Sequence, residues 1–418
     1  MKTDRRKVLK GLGASTAALG FPHVGRAQVR GQIVVIGGGF GGATAARYLS
    51  HAGHDVTLVE RDATYFSCPF SNTVLGGMAG MGDITFQPRT LSADGVRVVQ
   101  GEAVGIADGT VTLSSGEGLP YDRVLMSPGV DMIWGAIPGY DEAAAEIMPH
   151  AWKAGKQTQI LRSQLEAMED GGLVVIAPPA NPYRCPPGPY ERASLIAHFL
   201  KAEKPRSRIL ILDAKESFSK QALFEQAWDA LYPGMIEWIP PSMGGRVASV
   251  EADTMTVVTD FNRYDASVAN IIPPQRAAAI AQAAGVVDET GWCPVSGLTF
   301  ESDLVPGIHV VGDACFPGAM PKSAFSANAQ AKVAAAAINA LLRDESPVSP
   351  KLLNTCYSLA APDYGFTVAG VYGEAEGKLF EVEGAGGVSP IDADNDVRVA
   401  EAEFARSWYA TITNEAFG

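Results

Sequence analysis

Short apolar runs alternate with stretches of helical spacing along most of the chain. Gln32-Ile33-Val34-Val35-Ile36 is a β-branched run without polar alternation, as a strand buried on both faces of a parallel sheet requires. Residues 43–49 read as a helix, and 56–59 as a second strand ending at Glu60. The strand pattern recurs at Leu173-Val174-Val175-Ile176-Ala177, at 208–213 and at 307–311. An alanine-rich helix is expected around 326–342. No apolar run reaches the roughly 18–20 residues of a spanning helix. The order of elements predicts an α/β fold: two Rossmann-like domains of the FAD- or NAD(P)-binding kind, followed by a small C-terminal α+β domain.

Length and composition fit that picture. A chain of 418 residues suggests two or three domains. With 47% hydrophobic and 19% charged residues it can bury large cores and is not disordered. The net charge is −13, from 33 basic and 46 acidic residues, which disfavours nucleic acid and anionic lipid as partners. The six histidines show no metal-ligand spacing. The five cysteines are too few for a disulfide scaffold.

Residues 1–27 read as an export signal. Asp4-Arg5-Arg6-Lys7-Val8-Leu9-Lys10 resembles a twin-arginine pattern, a weakly apolar stretch follows, and Gly25-Arg26-Ala27 offers small residues for cleavage. A disordered basic tail is the ordinary alternative. Without these residues the chain keeps 27 basic and 45 acidic groups, a net charge of −18. The mature protein is then expected in the periplasm, where disulfides persist.

Chemistry begins directly after the first strand. Gly37-Gly38-Gly39-Phe40-Gly41-Gly42 carries G-x-G-x-x-G at Gly37, Gly39 and Gly42. The first glycine serves a tight turn, the second lets backbone approach a pyrophosphate, and the third packs helix on strand. The following helix offers free N–H groups to phosphates. Glu60 is positioned to accept from a ribose hydroxyl. A glycine-rich turn in an ordinary α/β domain is the competing reading.

The second Rossmann-like unit lacks such a turn. Between its first two strands stands Pro178-Pro179-Ala180-Asn181-Pro182-Tyr183-Arg184-Cys185-Pro186-Pro187-Gly188-Pro189-Tyr190-Glu191-Arg192. Prolines have no N–H to cradle a pyrophosphate, so this unit is expected not to bind NAD(P)H.

Two further segments favour FAD at the first site. Tyr121-Asp122-Arg123-Val124-Leu125-Met126-Ser127-Pro128-Gly129 resembles the strand and turn by which two-dinucleotide flavoproteins of the glutathione-reductase kind return to the FAD domain. Gly307-Ile308-His309-Val310-Val311-Gly312-Asp313-Ala314 resembles their second FAD fingerprint, in which Gly312 belongs to the cofactor site and Asp313 reaches the ribityl chain. The helix after it would face the flavin and stabilise negative charge there. The boundaries expected are 1–27 for the leader, 28–150 with 275–345 for a discontinuous FAD domain, 151–274 for the second unit and 346–418 for the last.

Longer motifs carry a family resemblance. Thr64-Tyr65-Phe66-Ser67-Cys68-Pro69-Phe70-Ser71-Asn72, the proline segment around Cys185, Gly291-Trp292-Cys293-Pro294, Asn354-Thr355-Cys356-Tyr357-Ser358, Ala361-Pro362-Asp363-Tyr364-Gly365 and Ser407-Trp408-Tyr409 together resemble the flavoprotein subunit of flavocytochrome c sulfide dehydrogenase. The sulfide:quinone oxidoreductases share its fold. The resemblance implies FAD attached covalently through Cys68, a redox-active disulfide between Cys185 and Cys356, hydrogen sulfide as donor and a c-type cytochrome subunit as heterodimer partner. The residues alone leave alternatives: Cys68 as a small buried hydrophobe, and Cys185 with Cys356 as a structural disulfide of an exported protein. Cys293 and Cys315 read as buried thiols, the latter near the cofactor. Glu191 is the nearest candidate proton acceptor or an ordinary helix-start carboxylate, paired with Arg192 at the surface. Lys322 either offsets flavin charge or is solvated.

The chain has no C-x-x-C-H, so it carries no c-type haem of its own. The C-terminal aromatics, Trp408 and Tyr409 among them, either cover the flavin and dock a haem subunit or fill the core of a cap. The leading expectation is an FAD-dependent sulfide dehydrogenase reducing a cytochrome. Rival readings are a sulfide:quinone oxidoreductase at a membrane surface, a flavoprotein acting on another sulfur compound, and a non-catalytic flavoprotein that scaffolds a cytochrome.

Overall fold

The computed structural model describes residues 30–418; the leader expected at 1–27 lies outside the described residues. β1 (Gln32–Ile36), α1 (Phe40–His51), β2 (Asp55–Glu60), the short α2 (Ser71–Leu75), β3 (Arg97–Gln100) and β4 (Arg123–Met126) open the chain. The second unit follows with α3 (Lys156–Ala167), β5 (Leu173–Ala177), α4 (Gly188–Glu203), β6 (Arg208–Leu212), α5 (Gln221–Leu231), β7 (Ile236–Ile239) and β8 (Val268–Ile271). After α6 (Ala279–Ala283), β9 (Ile308–Val310) and α7 (Ala324–Leu341) return to the first unit. The last part holds β10 (Leu352–Ala361), β11 (Tyr364–Ala375), β12 (Lys378–Glu381) and α8 (Asn395–Phe417).

The first sheet is parallel, in the order β9-β4-β1-β2-β3. Its central strands are nearly continuous apolar runs, as burial on both faces requires; Val35, Leu58 and Leu125 have no exposed surface. β1 ends at the centre of this sheet, between β2 and β4, so the turn after it opens into the crevice where open α/β sheets bind ligands. The second sheet is also parallel, β7-β6-β5-β8. The third is antiparallel, β10-β11-β12, with α8 packed along it. The fold is thus mixed α/β with two Rossmann-like units and a small α+β unit.

Helix boundaries moved slightly from expectation. α7 starts at Ala324 rather than 326 because Ser323 caps it, its Oγ accepting from the Ser326 N–H at 3.0 Å. α4 starts inside the proline segment, at Gly188. Pro189 sits in its first turn, where a missing N–H costs nothing.

Candidate active site

The three units enclose a cavity of about 590 Å³. One end is the glycine turn. Gly37 has φ +94°, and a Cβ on it would stand 2.4 Å from the Ser127 carbonyl oxygen. A Cβ on Gly42 would stand 1.8 Å from the Gly37 carbonyl oxygen, so only glycine lets α1 close on the turn. Gly39 is the N-cap of α1, and Gly39, Phe40 and Gly41 line the cavity. The free N–H groups of the helix start therefore face an anion-sized space. Glu60 lines the same end. Its carboxylate accepts from the backbone of Gly38 at 2.5 Å and Asp62 at 2.9 Å, which fixes its orientation. These residues fit the phosphates and ribose of an FAD.

Gly312 and Asp313 line the cavity beyond the turn. Asp313 is in ion-pair reach of Arg184 at 3.5 Å, both side chains being largely buried. Arg184 comes from the proline segment, so this pair ties the second unit to the fingerprint of the first. Cys68 lines the cavity from the turn before α2, its thiol 3.5 Å from the Trp152 carbonyl oxygen. That turn is braced at the Cys68 carbonyl, which accepts from Ser71 Oγ at 2.7 Å and Ser71 N at 3.1 Å.

Cys185 and Cys356 meet in the same cavity. Cys185 has left-handed backbone, φ +56°. It is held there by its N–H to the Lys322 carbonyl at 3.0 Å and by its carbonyl, which accepts from Gly188 N at 2.9 Å. Cys356 comes from the middle of β10, opposite Val368 on β11. Burial pushes the Cys185 thiol up, and the neighbouring Cys356 and Glu191 push it the same way; Arg184 and Lys220 oppose them. The expected Cys185–Cys356 disulfide is not formed in this structure, where both are free cysteines.

Glu191 sits in the first turn of α4 and lines the cavity. Its carboxylate accepts from Asn72 Nδ2 at 2.8 Å and from the Leu359 N–H at 3.0 Å. Burial pushes its carboxyl above the ordinary range, against the pull of these two donors and of the Lys220 and Arg192 cations. The expected surface pair with Arg192 is absent, because Arg192 is 2% exposed and faces elsewhere. It donates to Asn72 Oδ1 at 3.0 Å, to Asn270 Oδ1 at 2.9 Å and to the carbonyls of His150 and Ala151. Of the two readings of Lys322, the solvated one fails. Lys322 is neither solvated nor part of the cavity lining. Its ammonium is buried over the Trp292 ring at 3.8 Å and donates to the Cys315 carbonyl at 2.7 Å. Cys293 and Cys315 are buried side by side on paired strands, outside the cavity lining.

Family models match most of the described residues. The model for the central part of the sulfide dehydrogenase (flavocytochrome c) flavoprotein chain covers residues 158–273, and the flavocytochrome c sulphide dehydrogenase flavin-binding model covers 348–417. The pyridine nucleotide-disulphide oxidoreductase model covers 31–176. The sulfide dehydrogenase (flavocytochrome c) flavoprotein chain of Chlorobaculum thiosulfatiphilum is 51% identical over 45 residues, which is 10% of this chain and 94% of that relative. The chain belongs to the flavocytochrome c sulfide dehydrogenase flavoprotein family.

Membership makes it a flavin-binding oxidoreductase of the sulfide dehydrogenase kind. The type II NADH:quinone oxidoreductase NdhA of Mycobacterium tuberculosis is 34% identical over 107 residues, 24% of this chain and 23% of that relative, so the chain matches about a quarter of its length. The sulfide:quinone oxidoreductase of Aquifex aeolicus superposes with a TM-score of 0.67 at 18% identity, covering 92% of each chain. That likeness shows the fold. Among the described residues no helix is long and apolar enough to cross a membrane.

Three residues of this flavoprotein site escaped sequence reading: Asn72, Arg184 and Lys220. Arg184 and Asn72 stand inside the quoted motifs, so adjacency to Cys185 and Cys68 was the available signal. Lys220 had none, since it reaches Cys356 only through the fold. In the second unit, Asp213 follows β6, where a nucleotide-binding Rossmann domain keeps its ribose acid. Here its carboxylate accepts from Tyr190 Oη, from Trp238 Nε1 at 2.9 Å and from Lys215 Nζ at 2.6 Å.

Proposed function

We propose that the chain oxidises hydrogen sulfide at a Cys185–Cys356 couple beside an FAD held covalently by Cys68, and passes the electrons to a c-type cytochrome subunit in the periplasm. The single observation that carries this reading is the meeting of Cys185, Cys356 and Glu191 at one cavity wall, with the dinucleotide cradle at its far end.

The chemistry follows from those groups. Hydrosulfide attacks one sulfur of the disulfide; the Cys–Cys bond breaks, a persulfide forms, and the other cysteine leaves as thiolate. Glu191 takes the proton of the incoming sulfur, a task suited to a carboxylate whose proton affinity burial has raised. A second hydrosulfide attacks the persulfide, frees the second cysteine and departs as hydrodisulfide. The dithiolate gives up two electrons and closes again. Two hydrosulfides thus yield one hydrodisulfide, one proton and two electrons. The flavin, when bound, supplies the two-electron acceptor that can hand electrons on singly. Arg184 and Asp313 hold the proline segment against the FAD fingerprint.

The second unit is read as taking no NAD. Its loop prolines lack N–H donors, and Asp213 is spent on internal donors from Tyr190, Trp238 and Lys215. An acidic surface, −18 without the leader, suits a basic cytochrome. The twin-arginine pattern supports export.

The test is anaerobic sulfide titration of the flavin-loaded protein, followed by addition of cytochrome c or of a quinone. The flavin is expected to bleach with a long-wavelength thiolate-to-flavin band, and cytochrome to be reduced without quinone. Cys356→Ser should abolish the band and the fast bleaching. Bleaching of that variant at the wild-type rate would overturn the disulfide mechanism.

A further inference from the structure

Lys220 is a half-buried cation with no part in the reaction as written above. It directly precedes α5 and, like Cys185, has left-handed backbone, φ +62°. Its ammonium is not among the groups that line the cavity; it lies behind the wall that Cys356 forms. Two hydrogen bonds hold it, to the Cys356 carbonyl at 2.8 Å and to Ser358 Oγ at 2.7 Å. The Phe366 ring lies 5.5 Å from the ammonium and closes the space on one side. A lysine drawn partly out of water is costly unless negative charge is near. The charged and titratable groups facing it are Cys356, Glu191, Cys185 and Glu401. Cys185 in turn faces Cys356, Glu191, Arg184 and Lys220, Glu191 faces Lys220 and Arg192, and Tyr372 on β11 faces Cys356.

One feature of that ring of charges is decisive. Glu401 is already engaged by Ser389, Thr367 and Arg398, and Glu191 by Asn72 and Leu359. The sulfurs are the acceptors of charge that change during the reaction. When the disulfide opens, a thiolate appears in a space where burial, Glu191 and the other sulfur all oppose negative charge on Cys185. Lys220 is tied to the Cys356 carbonyl and to Ser358 Oγ, so its charge is held beside the Cys356 strand. We propose that Lys220 is a positioning residue for the sulfide reaction, whose hydrogen-bonded ammonium anchors the Cys356 strand and supplies the counter-charge for the thiolate released when the Cys185–Cys356 bond opens. No bond to Lys220 forms or breaks, and no electron or proton passes through it. The inference rests on the dithiol–disulfide reading of the two cysteines.

The experiment compares wild type, Lys220→Gln and Lys220→Arg as flavin-loaded protein. Glutamine keeps a donor for Cys356 and Ser358 but removes the charge; arginine keeps the charge. The anaerobically reduced proteins are alkylated with iodoacetamide over a range of pH, and modification at Cys356 and Cys185 is read by peptide mass spectrometry. Losing one neighbouring opposite charge is expected to slow alkylation at neutral pH about tenfold in the glutamine variant and to move the profile to higher pH. The arginine variant should stay within about twofold of wild type, well inside one pH unit of effect. A glutamine profile that overlays wild type overturns the proposal, since a purely structural lysine would not move it. If the glutamine variant does not fold, Ser358→Ala, which frees one of the two holds on the ammonium, should shift the profile in the same direction, and an unchanged profile again overturns the proposal. Sulfide bleaching is measured on the same samples. Wild-type flavin left oxidised by sulfide would refute the sulfide reading, while the alkylation profile still decides the role of Lys220.

Discussion

Asn72 joins the site across units. It lies in α2 of the first unit, 6% exposed. Its Nδ2 donates to Glu191 at 2.8 Å and to the Gly188 carbonyl at 3.3 Å, while its Oδ1 accepts from Arg192 Nε at 3.0 Å. Replacing it by alanine strips a half-buried carboxylate and a buried guanidinium of one partner each. Hydrogen bonds to charged groups are each worth about 1.5–3 kcal/mol, so the loss is about 3 kcal/mol even at the low end for both. At about 2–4 °C per kcal/mol in domains of ordinary size, melting should fall by roughly 6 °C or more. A second readout is independent of stability. The Asn72 amide favours ionised Glu191, so its removal leaves burial less opposed and raises that carboxyl further. A base must be ionised to act: flavin bleaching by sulfide is present above the Glu191 pKa and is lost as pH falls through it. In Asn72→Ala this acid limb should move to higher pH. Stopped-flow bleaching across pH, with thermal melts of the same preparations, measures both. An acid limb unmoved from wild type would refute Glu191 as the proton acceptor held by Asn72, whatever the melting point does.

Two other outcomes are expected. Acid precipitation of the wild-type protein should keep the yellow colour with the pellet, and Cys68→Ser should release it to the supernatant; colour lost from both would sink the thioether. His150 is buried and held neutral, its pKa lowered to about 3 by burial and by the Arg192 cation. The unfolded chain protonates it near the ordinary value of about 6.5, so its contribution to stability is complete above that pH and is lost as pH falls, by roughly 3 kcal/mol at a pH of about 4. Melting measured down the acid range should flatten in His150→Gln, and an equally steep acid loss in that variant would contradict the linkage.

The strands and glycine turn were legible because local physics dictates them. A β-branched run such as Gln32–Ile36 suits only a strand covered on both sides, and the close approach at Gly42 admits no side chain. The proline segment was legible as a loop, and the start of α4 within it at Gly188 follows from proline's tolerance in a first helical turn. Lys322 was left open between a solvated lysine and one that offsets flavin charge, because a lysine between two motifs fits either. Its placement over Trp292 depends on a ring 30 residues away in sequence, whose position the chain order does not express.

The sequence by itself determined the α/β layering, the dinucleotide turn, the acidic charge and, through long shared motifs, the family. Those features are written in neighbouring residues, where backbone sterics and periodicity act. Only the tertiary structure decided that Cys185 and Cys356 share one wall, that Glu191 is fed by Asn72 from one unit and Leu359 from another, and that Lys220 stands behind the sulfurs. Each of these depends on groups far apart in the chain being desolvated together, and the strength of a charge or hydrogen bond is set by that shared burial rather than by the residue that bears it.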